Sequence, residues 1–520
     1  LTPHQITDRE GNHVVRVADY IAEFLIGQGV EDVFMLTGNG AMYLNDAILQ
    51  SNFNIYCARN EAAAPMMAAS YARLRQQMGA VCVTSGPGST NAIPGLAEAW
   101  VDAAPIFVVS GQVERSHTTH LAGIPGLRTF GTAEIDIIPI VETITKYAVM
   151  VDDPNSIRYH LEKAAYLATS GRPGPVWLDI PMDVQYAIVE ADELEGYTPP
   201  QDQIFGSDSD ASIDEVLKLL DGAERPLIVA GHGIRQAGAI ELLRELVDQS
   251  GIPVIFSRFG QDYMPFSHPL NMGQAGLKGS RYCHVVMGSA DVVVTLGCRL
   301  AAQLVGHRFD VFDPDATVVM VDIDEAELKK PGVPIDVPIH ADVKPFISGL
   351  LSRMDQDNLP NWEAWVDECK TLKKEHPMVR PDHLGSPIDL YNFMSRLDAA
   401  SDESHIFTTD AGSNYYVGGQ VYRFESGQRE ITSGTFASMG LSIPLAIGAA
   451  IADQDAQILA VTGDGSLELN IQELKTMSHY GLNIKLFVIN NGGYVSMRNW
   501  QDNFFEGRRI ETEESTGAGT

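Results

Sequence analysis

Cysteine is scarce in this chain: Cys57, Cys82, Cys283, Cys298 and Cys369 are the only five in 520 residues, and no two are spaced as CxxC. A disulfide framework and a thiolate metal site are thereby excluded, and the thiols read as buried and reduced, as expected in the cytoplasm. Basic side chains are also few, 36 Lys and Arg against 68 Asp and Glu, giving a formal charge of −32. That balance excludes nucleic acid as the main partner. A small anion can still bind where glycines, helix N-termini and a cation set the local field. Long apolar runs are missing as well, and the opening LTPHQITDREGNHVV has no basic stretch followed by an apolar one, so neither a membrane span nor secretion is expected.

What is present is an alternation of short apolar runs with amphipathic helical patterns. Val33–Leu36, Ile55–Ala58, Val81–Thr84 and Ile106–Ser110 read as strands, and turns follow several of them: the glycine-bearing Thr37-Gly38-Asn39-Gly40 and Ser85 to Asn91, and Arg59-Asn60-Glu61. Such alternation predicts parallel α/β architecture with the turns on one sheet edge. Length alone calls for about three domains. Residues 1–189 form the first and 213–354 the second, with strands at Pro226–Ala230, Pro253–Phe256, Val292–Leu296 and Val318–Val321. Residues 388–520 form the third. The acidic, Pro- and Gly-rich segment 190–212 and the Pro-marked segment 355–387, which contains a helix, read as linkers.

The third domain holds the most informative stretch. Ile458–Val461 reads as a strand ending in Gly463-Asp464-Gly465, and Ile484–Ile489 as a second strand ending in Asn490-Asn491. Between them, Asn470 with Glu473 three residues on has the form of a capping box, and Ile471, Leu474 and Met477 recur on one face of a helix that stops at Gly481. One βαβ unit therefore brings Asp464 and Asn491 to the same edge of a parallel sheet. A carboxylate and an amide oxygen are hard ligands of the kind Mg²⁺ takes when phosphates complete its shell, and the glycines let a diphosphate approach the backbone.

GDG and NN at this separation resemble the signature of the thiamine diphosphate (ThDP) enzymes. NEAAAPMMAASYAR, and TSGPGSTNAIPGLAEAWVDAAPIFVVSGQV after it, closely resemble the pyrimidine-binding domain of their acetolactate synthase group. The resemblance runs through nearly the whole chain. It implies three doubly wound parallel-sheet domains of the ThDP-enzyme type: pyrimidine-binding, middle and diphosphate-binding. By that resemblance Asp464, Asn491 and the carbonyl of Gly493 hold Mg²⁺, and Gly463, Gly465 and Ser466 flank the diphosphate. Thr408 to Asn414 resembles the turn that contacts the diphosphate through Gly412, Ser413 and Asn414. Met439, a core residue if taken alone, matches the side chain that props the cofactor into its V shape. Glu61, which alone reads as a first-turn glutamate complementing a helix dipole, matches the carboxyl set against N1′ of the aminopyrimidine; burial raises such a carboxyl's pKa and lets it share a proton with the ring. GHG at 231–233, LGCR at 296–299 and VDIDEAELKK at 321–330 resemble a middle domain that binds FAD, with Asp322 or Asp324 on the ribose.

The implied reaction is loss of CO2 from a 2-oxo acid, pyruvate being the best match, and transfer of the two-carbon unit to a second carbonyl compound. Other readings stay open: a keto-sugar or other ketone acceptor, a simple 2-oxo acid decarboxylase, and a non-catalytic ThDP- or nucleotide-binding protein. The acceptor pocket is expected at Gly38, Asn39, Gly40, Ala133, Tyr494, Ser496, Met497 and Trp500. There the chain departs from its family, since the family's Phe-Gln-Glu falls on Thr132-Ala133-Glu134 and its Gln-Gly-Met-Val on Tyr494-Val495-Ser496-Met497. Asn60 replaces a histidine, Ser413-Asn414 replaces Gln-His, and Leu300-Ala301-Ala302 replaces an acidic continuation. A homodimer or homotetramer is expected, because in the family the pyrimidine domain faces the diphosphate domain of another subunit. The family's third domain runs on past the point matching Thr520, so a further segment covering the site is expected.

Overall fold

Strands covered by helices on both faces have no solvated side, so their sequences are continuous apolar runs. A computed structural model of the chain, which describes residues 6–7, 13–200, 209–309, 315–355, 359–385 and 389–516, turns these runs into parallel sheets. The first sheet comprises Asp32–Met35 (β1), Asn54–Cys57 (β2), Gly79–Val83 (β3), Ile106–Gln112 (β4), Tyr147–Met150 (β5) and Val176–Pro181 (β6). All are parallel, in the order β2-β1-β3-β4-β6-β5. From β1 the chain goes to β2 on one side and then to β3 on the other. The crevice at the carboxyl ends of β1 and β3 is thus a topological switch point, where open α/β sheets bind ligands. Helix Ala63–Arg75 (α1) follows β2, and helix Pro87–Val101 (α2) follows β3.

The second sheet is also all parallel. Pro226–Ala230 (β7), Val254–Phe256 (β8), Asn271–Gln274 (β9), Val292–Leu296 (β10), Thr317–Asp322 (β11) and Val337–His340 (β12) lie in the order β9-β8-β7-β10-β11-β12. Its core takes in Trp362, Trp365 and Cys369 from helix Glu363–Glu375 and the residue before it. Both indoles donate to backbone carbonyls, of Ala223 and Pro226, at 2.9 Å. This part of the segment expected as a linker is therefore packed into the middle core.

The remaining elements are His405–Thr409 (β13), Ser413–Val421 (α3) and Arg429–Ile431 (β14), then Ser442–Ala452 (α4), Gln457–Gly463 (β15), Leu474–Tyr480 (α5), Ile484–Ile489 (β16) and Val495–Phe504 (α6). β13 pairs in parallel with β14. Backbone contacts divide the chain into two compact units, residues 1–200 with 435–488, and residues 201–434 with 489–520. Of the expected linkers, residues 201–208, 356–358 and 386–387 lie outside the described residues, as does Ile388, the expected start of the third domain.

In the first unit α4 packs on α1 at backbone distance. A Cβ on Gly448 would stand 2.2 Å from the Met67 carbonyl, and the Ser70 hydroxyl donates to the Leu445 carbonyl at 2.6 Å. Ile443, Ile447 and Ile451 share one core with Phe34 and Trp177. In the second unit, charges are buried in pairs. The Arg258 guanidinium meets Glu430, while Asp262 receives Arg235 at 2.6 Å and Arg429 at 2.9 Å. Cys82, Cys283, Cys298 and Cys369 are buried, and burial pushes every one of these thiols up, Cys82 and Cys369 to about 12 and Cys298 to about 11. None of the four is a thiolate near neutral pH. Among the described residues, no helix is long and apolar enough to cross a membrane.

Asp179 on β6 is the first sheet's one strongly perturbed carboxyl. It is buried, receives the Ser110 hydroxyl and the Gln112 amide, and desolvation pushes it up to about 7 from 3.8. A raised carboxyl contributes stability that is fully present below about pH 4 and lost as the pH climbs through 7, here on the order of 4 kcal/mol. Thermal melts from pH 4 to 8 should therefore show wild type losing stability relative to Asp179→Asn across that window. Parallel curves for the two proteins would disprove the assignment.

Candidate active site

Three turns meet at the switch point of the first sheet. Gly38 lies against Thr84, where a Cβ would stand 2.3 Å from the Thr84 methyl, and the Gly40 N–H donates to the Thr84 hydroxyl at 3.0 Å. Gly40 is buried, whereas Asn39 projects into solvent. Gly86 has φ +59°, and a Cβ there would stand 2.3 Å from the Ala133 carbonyl. Ala133 itself is exposed with φ +56°, while the adjoining Glu134 is buried and accepts from the N–H groups of Thr119 and Phe130. Glu61, half-buried just before α1, receives the Asn91 amide at 3.2 Å, and its other oxygen stands 3.6 Å from where a Cβ on Gly88 would be. The sequence-predicted carboxyl is thus at the ligand-binding edge, among turns whose glycines permit close packing of backbone on neighbouring atoms.

The 435–488 part of the same unit carries Met439, Asp464 and their supports. The Glu98 carboxylate on α2 receives the Ser438 hydroxyl at 2.8 Å, the Gly440 N–H donates to the Ser466 hydroxyl at 2.7 Å, and the Asn470 amide donates to the Gly440 carbonyl at 2.8 Å. Half-buried Met439 is therefore held from both sides. Gly440 has φ +78°, and a Cβ on it would stand 2.8 Å from that of Leu469. Half-buried Gly463 ends β15, and Asp464, Gly465 and Ser466 are buried at the start of a short helix, Asp464–Leu467. An Asp464 oxygen accepts the Gly465 N–H at 2.9 Å.

The capping box expected at Asn470 is not formed. Asn470 has φ −139° within a 3₁₀ stretch, Glu468–Glu473, and its amide goes to Gly440. Glu473 accepts instead from the N–H groups of Arg59 at 2.8 Å and Asn60 at 3.0 Å. Glu473, Thr476 and Tyr480 turn inward along with Met477, which packs against the core, whereas Ile471 and Leu474 are 49% and 36% exposed. These tertiary bonds to a distant turn outweigh the local pattern.

In the second unit, Gly412 caps α3 with φ +80°, and a Cβ on it would stand 3.9 Å from the Ser496 hydroxyl. Half-buried Ser413 opens the helix. Asn414 is buried and gives its amide to Asp410 at 2.7 Å, so its N–H bond belongs to the turn itself. After β16, Gly493 has φ +107°, and a Cβ there would stand 2.6 Å from the Thr512 carbonyl. Arg498, which sequence reasoning passed over, donates to the carbonyls of Asn491 at 2.7 Å and Thr512 at 3.1 Å and also to that of Gly492. Tyr494 and Ser496 are half-buried, and exposed Met497 and Trp500 lie on α6 with Trp500 against Phe504 at 4.7 Å.

Asp464 in the first unit, and Asn491 and the Gly493 carbonyl in the second, are hard oxygen donors of the type Mg²⁺ takes. FAD fares differently. Gly231, Gly233 and Gly297 are packed on one another, a Cβ on Gly231 standing 2.2 Å from the Gly297 carbonyl. Asp322 accepts the Asp324 N–H, and Asp324 caps the helix Glu325–Lys329. The groups expected to hold FAD are engaged with the protein's own backbone.

Models of the thiamine pyrophosphate enzyme match in three places: the N-terminal TPP-binding domain over residues 15–147, the central domain over 213–350 and the C-terminal TPP-binding domain over 410–519. Similar curated proteins include the acetolactate synthase large subunit of Lactococcus lactis, 33% identical over 93% of this chain and 82% of that protein. The Escherichia coli acetolactate synthase isozyme 1 large subunit is 31% identical over 94% and 84%, and the probable large subunit of Methanocaldococcus jannaschii 31% over 95% and 83%. With its three α/β domains in family order, the chain belongs to the acetolactate synthase large-subunit family of thiamine diphosphate-dependent enzymes, transferase-type carboligases.

Proposed function

We propose that this enzyme removes CO2 from pyruvate and joins the remaining two-carbon unit to a second carbonyl compound. The observation that carries the reading is Glu61, held by Asn91 at the switch-point edge among the turns of Gly38–Gly40 and Thr84–Gly88. ThDP, when bound, would supply a thiazolium able to add to the 2-oxo acid and to accommodate the electron pair left by CO2. Glu61 holds and returns the proton at N1′ of the aminopyrimidine, and Asn91 keeps its carboxylate directed there. Met439, fixed through its neighbours Ser438 and Gly440, would support the cofactor. Asp464, Asn491 and the Gly493 carbonyl would hold Mg²⁺, and Gly412, Ser413, Gly463, Gly465 and Ser466 would meet the diphosphate.

A homodimer or homotetramer in the cytoplasm fits this assignment. Phe436, Leu469, Ile471 and Leu474 leave apolar surface on the first unit that a second copy would cover. The functional domains are taken as 1–189, 213–354 and 388–520. FAD is left out of this reading, because the GHG turn and strand-end Asp322 are engaged with the protein's own backbone; flavin absorbance in the purified protein would overturn that.

A second reading concerns the acceptor. Ala133 presents a methyl where the family has an amide, and Tyr494 and Ser496 bring hydroxyls, so acceptor preference is expected to move away from pyruvate. The test incubates the enzyme with ThDP, Mg²⁺ and pyruvate, alone and with 2-ketobutyrate, a small diketone or a nucleotide-linked keto sugar. Carboligation products support the main reading, and acetaldehyde alone overturns it. Acetolactate formed from pyruvate as efficiently as any mixed product would discard the altered acceptor.

A further inference from the structure

Glu473 is fully buried, with no surface exposed, and sits just before α5. One of its oxygens accepts two backbone N–H groups, those of Arg59 and Asn60, and the other accepts the Thr476 hydroxyl at 2.7 Å. Three donors converge on it. A carboxylate with acceptors only is the side chain that satisfies them, and burial, which raises this carboxyl's pKa, is offset by those hydrogen bonds. The far end of α5 grips the same stretch: the Tyr480 hydroxyl accepts the Cys57 N–H at 2.8 Å and donates to the Ile55 carbonyl. Asn60 continues the anchoring, its side chain accepting the Ala62 N–H at 2.8 Å. Glu61 lies inside this pinned turn, one residue beyond the two N–H groups that Glu473 holds. No hydrogen bond joins the two glutamates, and Glu61's carboxylate is steered separately by Asn91.

We propose that Glu473 is a positioning residue for Glu61, fixing the backbone from which the proton-transferring carboxyl projects. The proposal rests on the reading of Glu61 given above. Proton transfer demands placement within hydrogen-bond reach, and a displacement near 1 Å costs up to about a hundredfold. Glutamine at position 473 can keep both backbone N–H groups on its carbonyl while its amide donates to a Thr476 hydroxyl turned to accept. Alanine can do neither.

The test uses the full chain as wild type, Glu473→Ala, Glu473→Gln, Thr476→Val and Glu61→Gln. Amide hydrogen exchange of the cofactor-free protein should show the Arg59 and Asn60 N–H groups losing roughly tenfold or more of their protection in Glu473→Ala, the scale of a lost charge-assisted bond. With ThDP and Mg²⁺ bound, C2 hydrogen exchange should slow roughly tenfold to a hundredfold in the same variant while calorimetric cofactor affinity holds. Glu473→Gln should restore most of both. If Glu61→Gln exchanges C2 at the normal rate, the reading of Glu61 itself fails. If Glu61→Gln is slow but Glu473→Ala keeps its amide protection and its C2 rate, the positioning role alone is overturned. Should Glu473→Ala fail to fold, Thr476→Val decides: faster amide exchange at 59 and 60 with slower C2 exchange upholds the role, and wild-type values reject it.

Discussion

Glu61→Gln is expected to slow C2 hydrogen–deuterium exchange of bound ThDP by about a hundredfold or more, the scale on which a positioned acid–base group contributes. Its effect on cofactor affinity should be small, because Glu61 lies in the turn between β2 and α1 and its hydrogen-bond partner is Asn91, a side chain of the same unit rather than part of any phosphate cradle. Glutamine retains the shape and can still accept from Asn91. What it loses is the capacity to take and return a proton at N1′. Exchange followed by proton NMR after acid quench, alongside calorimetry of ThDP binding, separates the two effects. Normal exchange would reduce Glu61 to a helix-start residue; weakened binding with normal exchange on the bound fraction would recast it as an anchor.

Much of the scaffold was legible because buried parallel strands leave a strong trace. Pro226–Ala230, Val292–Leu296 and Ile484–Ile489 form with the bounds their apolar runs predict, and other strands differ by one or two residues. The glycine turns were legible too, since positions such as Gly88 and Gly440 have no room for a side chain. Less legible was anything determined by groups far apart in sequence. Asn470 and Glu473 have the spacing of a capping box, yet their partners are Gly440 and the turn at 59–60, more than 400 residues earlier in the second case. No local pattern carries that information. Helical periodicity likewise identifies a shared face without saying which way it turns: Met477 packs on the core beside Glu473, Thr476 and Tyr480, while Ile471 and Leu474 are exposed.

The site residues show a similar division. Family motifs place Ser466 beside the diphosphate and Asn414 in the turn that contacts it. In the structure the Ser466 hydroxyl supports Gly440, and the Asn414 amide supports Asp410. Both shape the turns from which backbone N–H groups would meet phosphate oxygens, a role in keeping with glycine-rich anion sites. Trp362 and Trp365 were taken for linker residues because charges and prolines surround them, although two tryptophans within four positions of a helix are a signal for burial.

Asp464→Ala is expected to abolish metal-dependent ThDP binding, with affinity falling by more than about a hundredfold, since loss of a group that merely supports a metal ligand already costs ten- to a hundredfold. Asp464 follows directly on β15, is only 8% exposed, and begins the helix Asp464–Leu467 with one oxygen receiving the Gly465 N–H. That bond orients the carboxylate at the end of the strand. Alanine removes the charge without overfilling the turn, so the fold should survive and the melting temperature of the cofactor-free protein should change little. Asparagine preserves an oxygen without the charge and is expected to bind more weakly than wild type but more tightly than alanine. Calorimetric titrations of ThDP with Mg²⁺ and with excess chelator distinguish a metal role from a purely structural one. The metal reading requires that wild type with chelator resemble Asp464→Ala with Mg²⁺. Equal affinity in wild type and Asp464→Ala, both in Mg²⁺, would refute a metal site at this turn.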